Sequence, residues 1–229
     1  MKIVGHRGAR AKEPENTLRA VRTGLACADC IEIDVRMSRD GIPVIMHDAT
    51  LERTTNGRGA VRDHSFAEIR TLDAGAGERV PTLAEVLDLM AGRATLLVEL
   101  KERGGLETIV EVITSAQAKR IILVSFLAEA LARAEQLLPA VPRGLIYSTA
   151  GRDPFADARS VNASFILPRF DQADAEMIGQ AHAQRLRVIL WTLNTADDLH
   201  AAAVMGADAV ATDDPCMARS VLRKSTLQR

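Results

Sequence analysis

Glu32 and Asp34 stand two residues apart in the apolar run CIEIDVRM, which puts both carboxylates on one side of a β-strand, because strand side chains alternate. Ile31, Ile33 and Val35 take the other side. A turn signalled by Asp40-Gly41 and a second apolar run, PVIM, then return the chain to His47 and Asp48. Paired carboxylates with a histidine beside them can hold a metal ion with a proton-transfer group at its rim. Burying both without a cation would set like charges together and strip their hydration, so the pattern calls for a counter-ion. The same spacing also fits an edge strand wetted on one face. Glu99, in TLLVELK, shares a strand face with Lys101 and offers either a local ion pair or a third carboxylate for the cluster. Three oxygen ligands without cysteine favour a hard cation, Mg²⁺ or Ca²⁺, over zinc. Arg7 and Lys101 next to such a cluster suit an anionic substrate group such as a phosphate.

These residues need elements that bring distant segments together. KIV near the start reads as a strand ending in GHRGA, which leaves His6 and Arg7 at a strand's C-terminal end, where α/β folds bind ligands. PENTLRAVRTGLA reads as a helix with an acidic first turn. Residues 50–80 are polar and punctuated by glycine, with a short helical piece at 65–72. VPTLAEVLDLM predicts a helix from near Pro81, capped by Thr82, with Leu83, Val86, Leu87 and Met90 inward. From Thr95 onward strands and helices alternate to the last helix, CMARSVLR. The count approaches eight strands, each followed by helical material, which predicts a closed (β/α)₈ TIM barrel over 1–229 with 48–81 as a small insertion after the second barrel strand. Fewer strands would leave an open doubly wound sheet. The barrel also explains why polar residues recur at strand ends: His6-Arg7, Glu32-Asp34, Glu99-Lys101, Ser125, Trp191 to Asn194, and Thr212 to Asp214.

Composition excludes several classes. With 29 basic and 30 acidic side chains the net charge is -1, which gives no reason to expect nucleic acid or an anionic membrane as partner. No apolar run reaches membrane-spanning length, and the start MKIVGHRG leaves no room for a signal segment, so stable membrane insertion is not expected and cytoplasmic residence is. Cys27, Cys30 and Cys216 are too few and too oddly numbered for a disulfide scaffold and are expected as buried structural thiols, CADC notwithstanding. His64, His182 and His200 read as surface or packing histidines, and Ser125, outside any nucleophile elbow, as a packing or rim hydroxyl.

HRG at 6–8, PENT at 14–17, EIDV at 32–35, DG at 40–41, HD at 47–48, LERTTNG at 51–57, PTLAEVL at 81–87, VELK at 98–101, WTLN at 191–194 and TDDP at 212–215 together resemble the glycerophosphodiester phosphodiesterase family, bacterial cytosolic type. The likeness runs in order through nearly the whole chain. It implies a TIM barrel whose divalent cation is held by Glu32, Asp34 and Glu99, with His6 and His47 as the catalytic pair. It places Arg7 and Lys101 near the phosphate, Trp191 as an aromatic wall and Asn16 as a supporting residue, and it makes 48–81 a cap on the mouth. The implied reaction is metal-dependent hydrolysis of small-molecule glycerophosphodiesters, deacylated phospholipids, to glycerol 3-phosphate and an alcohol. Two other functions fit the same barrel: a lyase that stops at a cyclic phosphate, and a non-catalytic binder of anionic ligands. SRDG departs from the family's more common turn sequence, and Arg185 stands where a glycine often precedes the seventh strand; neither removes a ligand or a histidine.

Overall fold

Short runs dense in Val, Ile and Leu form the strands, as expected where a strand is covered on both faces. In the computed structural model, which describes residues 1–148 and 153–227, they are β1 (Lys2–Gly5), β2 (Cys30–Met37), β3 (Pro43–Ile45), β4 (Thr95–Leu100), β5 (Ile121–Ser125), β6 (Arg143–Tyr147), β7 (Phe165–Pro168), β8 (Arg187–Leu190) and β9 (Ala209–Thr212). Parallel pairing runs β1-β2-β4-β5-β6-β7-β8-β9, and β9 pairs back with β1 through Lys2 opposite Ala209. The sheet therefore closes, and the fold is the TIM barrel, not the open sheet. β3 stands outside the ring, antiparallel to β2 with Val35 opposite Ile45.

Among the described residues eight helices follow the barrel strands: α1 (Leu18–Leu25), α3 (Leu83–Met90), α4 (Leu106–Ser115), α5 (Ala128–Leu137), α6 (Pro154–Ser160), α7 (Ala175–Ala183), α8 (Ala196–Met205) and α9 (Pro215–Leu227), while α2 (Phe66–Thr71) lies in the excursion after β3. Val4, Leu97, Val124, Ile146, Leu167 and Ile189 fill the barrel interior. On the outside of β2, Ile31, Ile33 and Val35 pack with Leu83, Val86, Leu87 and Met90 of α3. That helix matches its sequence signals fully, including a capping box between Thr82 and Glu85.

Two expectations need correcting. The first helix begins at Leu18, with Thr17 as its cap, and has no acidic first turn. PENT is instead a loop, because Asn16 takes the left-handed backbone conformation (φ 60°), which a helix cannot include. The second correction concerns the cysteines: Cys27, just past α1, and Cys216, in the first turn of α9, form a disulfide with Cα atoms 4.9 Å apart. Barrel closure puts the first and last helices side by side, a proximity that 189 residues of separation conceals. Only Cys30 is the buried thiol expected. Arg185 adopts the conformation that glycine would take there (φ 62°), so this departure changes the residue and keeps the turn.

The excursion has a small apolar centre of its own, Leu51, Val61, Ile69, Ala74 and Val80 with Val44 and Met46. Its α2 carries a second capping box, Ser65 with Glu68.

Candidate active site

The register of the barrel assembles the acidic cluster. Asp34 lies directly opposite Glu99 across β2 and β4, and Glu32 precedes Asp34 on the same face. One oxygen from each carboxylate falls within 4.8 Å of the others. All three are buried, with exposures of 6 % for Glu32, 1 % for Asp34 and 8 % for Glu99. Glu32 accepts from the Arg7 backbone N–H at 2.8 Å through Oε2, yet its Oε1 is buried without a partner. Asp34 accepts from Asn16 Nδ2 at 2.8 Å through Oδ2, and its Oδ1 has no hydrogen-bond donor, only Lys101 Nζ at 3.4 Å. Two buried carboxylate oxygens without hydrogen-bond donors fit a hard cation, because leaving such atoms unsatisfied is costly. The edge-strand reading of β2 fails, since β2 is flanked by β1 and β4. The ion pair is present as well, with Lys101 Nζ 2.7 Å from Glu99 Oε1.

Charge follows from this burial. Desolvation, reinforced by Asp34 and Glu99, raises Glu32 well above the ordinary carboxylate range. Burial, with Asp34 beside it, pushes Glu99 up to about 7 against the pull of Lys101. Burial acts in the same direction on Asp34, but Lys101, Arg7, His47 and the Asn16 amide together hold it below its usual value.

Both histidines line the same cavity, of about 300 Å³, at the C-terminal mouth of the barrel, together with Arg7, Glu32, Glu99 and Trp191. His6 donates from Nδ1 to Asp213 Oδ1 at 2.7 Å, and Asp213 is itself held by Asn194 Nδ2 at 2.9 Å. His47 donates from Nδ1 to Asp48 Oδ1 at 2.6 Å. Fixing Nδ1 in this way leaves Nε2 for proton transfer on each ring. Burial lowers the His47 pKa, with Lys101 and Arg7 adding to the effect and Asp34 and Asp48 opposing it. His6 is placed by the HRG loop, in which Gly8 (φ 86°) presses so close to α1 that a Cβ would meet the Ala20 carbonyl carbon at 2.5 Å.

The remaining sequence candidates converge too. Arg7 Nε lies 3.3 Å from Asp34 Oδ2 and its Nη1 donates to Glu15 Oε1 at 2.7 Å. Trp191 donates from Nε1 to Leu167 O at 2.8 Å and meets Phe126 edge-on with ring centroids 5.6 Å apart. Ser125 is buried and donates to Leu100 O, a packing role. His64 bonds the Arg58 carbonyl and His182 pairs with Asp208, both away from the cavity.

Sequence reasoning missed the supports around these groups: Asp213 and Asn194 behind His6, Phe126 beside Trp191, and an Arg53–Glu15 link. Arg53 grips Asp48 through Nε at 2.6 Å and Glu15 through Nη2 at 2.8 Å, and so ties the excursion to the PENT loop. These contacts, with Arg7, hold Glu15 down at about 2 despite its burial. Asp48, adjacent to His47, and TDDP at the last strand end were the available signals. None of residues 49–81 lines the cavity itself, and Arg53 links the excursion to the residues at its rim.

A closed barrel whose C-terminal mouth joins three carboxylates, two histidines, an arginine and a lysine has the parts that metal-assisted hydrolysis of a phosphoester requires. The model of the "Glycerophosphoryl diester phosphodiesterase family" matches residues 6–217, and the chain belongs to that family. A "Glycerophosphodiester phosphodiesterase" of Caldanaerobacter subterraneus is 32% identical, over 97% of this chain and 98% of its own. A phosphodiesterase of Oleispira antarctica, solved in complex with the product sn-glycerol-3-phosphate, superposes with a TM-score of 0.92 at 30% identity and 97% coverage of both chains. A Silicibacter pomeroyi structure described as a putative glycerophosphoryl diester phosphodiesterase reaches a TM-score of 0.94 at 26% identity, covering 99% of this chain and 94% of its own.

Proposed function

We propose that the cavity binds the glycerophosphoryl half of a glycerophosphodiester and that His6 and His47 carry its protons during hydrolysis to glycerol 3-phosphate and an alcohol. The observation that carries this is the placing of two Nδ1-anchored histidines at the same cavity as buried carboxylates with orphaned oxygens. Glu32, Asp34 and Glu99 would hold one divalent cation, Mg²⁺ or Ca²⁺, with Asn16 orienting Asp34. A hard dication there supplies charge stabilisation to the phosphate and lowers the cost of ionising a nearby hydroxyl. The product complex of the Oleispira relative supports the same ligand class here.

The chain's own residues account for the rest. Arg7 and Lys101 offset the charge that builds on the phosphate oxygens, and Trp191 with Phe126 forms an apolar wall for the substrate's carbon frame. In the first step one histidine takes the proton of the glycerol 2-hydroxyl as its oxygen bonds to phosphorus. The second histidine gives a proton to the alcohol oxygen as its bond to phosphorus breaks, leaving a cyclic phosphate. Water then adds at phosphorus with the proton roles reversed, and opening of the ring gives glycerol 3-phosphate. We read 1–229 as one folding unit with 48–81 as an insertion that caps the mouth and tunes the choice of headgroup.

Cytoplasmic action is part of the proposal, and the Cys27–Cys216 bond is the feature that weighs against it, because disulfides are rare in reducing compartments. Among the described residues no helix is long and apolar enough to cross a membrane. Counting free thiols in protein quenched directly from cells tests the compartment against the Cys27–Cys216 bond.

The mechanism is tested with His6→Ala and His47→Ala. Each should lower kcat by about 10²-fold or more with metal affinity unchanged by calorimetry. Full activity in both variants at equal metal occupancy would remove the two-histidine chemistry. A substrate lacking the 2-hydroxyl should be inert, and its rapid cleavage would remove the cyclic step alone.

A further inference from the structure

The opposite end of the barrel holds a second cavity, of about 320 Å³, at the N-terminal ends of the strands. Its floor includes Leu97, Ile122 and Ile189, and its rim carries Lys2, Lys119, Arg120 and Arg187. Among the described residues none of these four cations has a carboxylate within ion-pair distance. The acid in the lining, Asp208, is already committed: its Oδ2 accepts from the Val188 N–H at 2.8 Å and meets His182 Nε2 at 2.9 Å. An adjoining recess adds Arg22 and Arg93, and its acid, Asp29, is held by Arg219 at 2.7 Å and by the Ile3 N–H at 2.8 Å.

Basic residues near helix C-termini complement the helix dipole, which accounts for Arg22 in the last turn of α1. It does not account for Lys2 and Arg187, which open strands β1 and β8 at the cavity mouth. Arg187 lies 4.1 Å over the ring of Phe165, another lining residue, so its charge is stationed above an apolar wall. Uncompensated cations around a low-dielectric recess focus a positive potential into it. A bare anion would use the rim and leave the apolar floor in water. A neutral hydrocarbon would use the floor and leave the cations facing one another. A ligand that joins an anionic head to an apolar chain uses both, and the volume lies at the lower end of small-ligand pockets, about 300–1,000 Å³.

We propose that this lower cavity is a binding site for a single-chain carboxylate, with the head on Lys119, Arg120, Arg187 and Lys2 and the hydrocarbon against Leu97, Ile122 and Ile189. The chemistry of the substrate supplies such a ligand: releasing a glycerophosphodiester from a diacyl lipid is ester hydrolysis, and each ester cleaved liberates one fatty carboxylate. That link to supply rests on the proposed function; the site itself does not.

Calorimetric titration of the full-length protein with decanoate tests the site. We expect saturable binding at one molecule per chain, undisturbed by saturating glycerol 3-phosphate, with acetate, inorganic phosphate and decanol each at least tenfold weaker. The double variant K119Q/R120Q and, separately, R187Q should weaken decanoate at least tenfold while phosphodiesterase turnover is retained. Should R187Q fail to fold, the loop pair K119Q/R120Q decides alone. Absence of saturable decanoate binding, displacement by glycerol 3-phosphate, equal affinity for acetate or decanol, or unchanged binding in the double variant would each overturn the proposal. Loss of hydrolysis with decanoate binding intact would count against the function proposed above and leave this site standing.

Discussion

Glu99 couples the metal site to pH. In the metal-free protein burial beside Asp34 pushes it up to about 7 and raises Glu32 as well, so both bind protons that the unfolded chain would have released at lower pH. The sign follows. Between the ordinary carboxylate range and pH of about 7 the folded state holds more protons than the unfolded state, so stability of the metal-free protein falls as pH rises through that window. A cation needs the carboxylates ionised, so its affinity should rise over the same window, with protons released on binding. Calorimetry at about pH 6 and about pH 8, in buffers of different ionisation enthalpy, checks both; affinity independent of pH would contradict the assignment. Glu32→Ala and Asp34→Ala should abolish saturable metal binding, because each removes an oxygen ligand from a set of three. These acids were legible in the sequence because strand alternation puts i and i+2 on one face. Asp213 was legible only as a strand-end acid, since its partner His6 lies 207 residues away and only barrel closure joins them.

Among the elements, the excursion is tied to the residues at the mouth through Arg53. Arg53 bridges Asp48, which anchors His47, to Glu15, which anchors Arg7. Arg53→Ala should lower kcat/KM by about 10-fold through loss of positioning, while the melting temperature moves little, because a partly exposed ion pair is worth only about 0–1 kcal/mol. Steady-state kinetics alongside a thermal melt separates the two; a large fall in stability with unchanged kinetics would make the link merely structural. The Cys27–Cys216 bond joins α1 to α9 across 189 residues, and reducing it should lower the unfolding free energy by about 2–4 kcal/mol in urea titrations. An unchanged midpoint after reduction would contradict a stabilising bond. Helix α3 was readable in its cap and its inward face because both signals are local. The PENT loop was misread as helix because Pro14 and Glu15 look like the proline and acid of a helix's first turn, whereas the left-handed backbone at Asn16 delays the start to Leu18.

At the scale of the whole molecule, the recurrence of strand, polar end and helix made the barrel legible, and closure through β1 and β9 gathers the C-terminal strand ends around one mouth. What the linear pattern lacks is depth. It does not show that the carboxylates are buried enough to leave Glu32 Oε1 and Asp34 Oδ1 without hydrogen-bond partners, which is the feature that selects a cation. The central claim is that this mouth is a divalent-metal-dependent phosphodiesterase for glycerophosphodiesters. Phosphorus NMR of glycerophosphocholine turned over by the purified protein tests it most directly, before and after chelation and after return of Mg²⁺ or Ca²⁺. The account predicts glycerol 3-phosphate as the accumulating phosphorus product, no turnover in the chelated sample and recovery with either hard cation. Full turnover in verified metal-free protein, or a cyclic phosphate as the only end product, would contradict it.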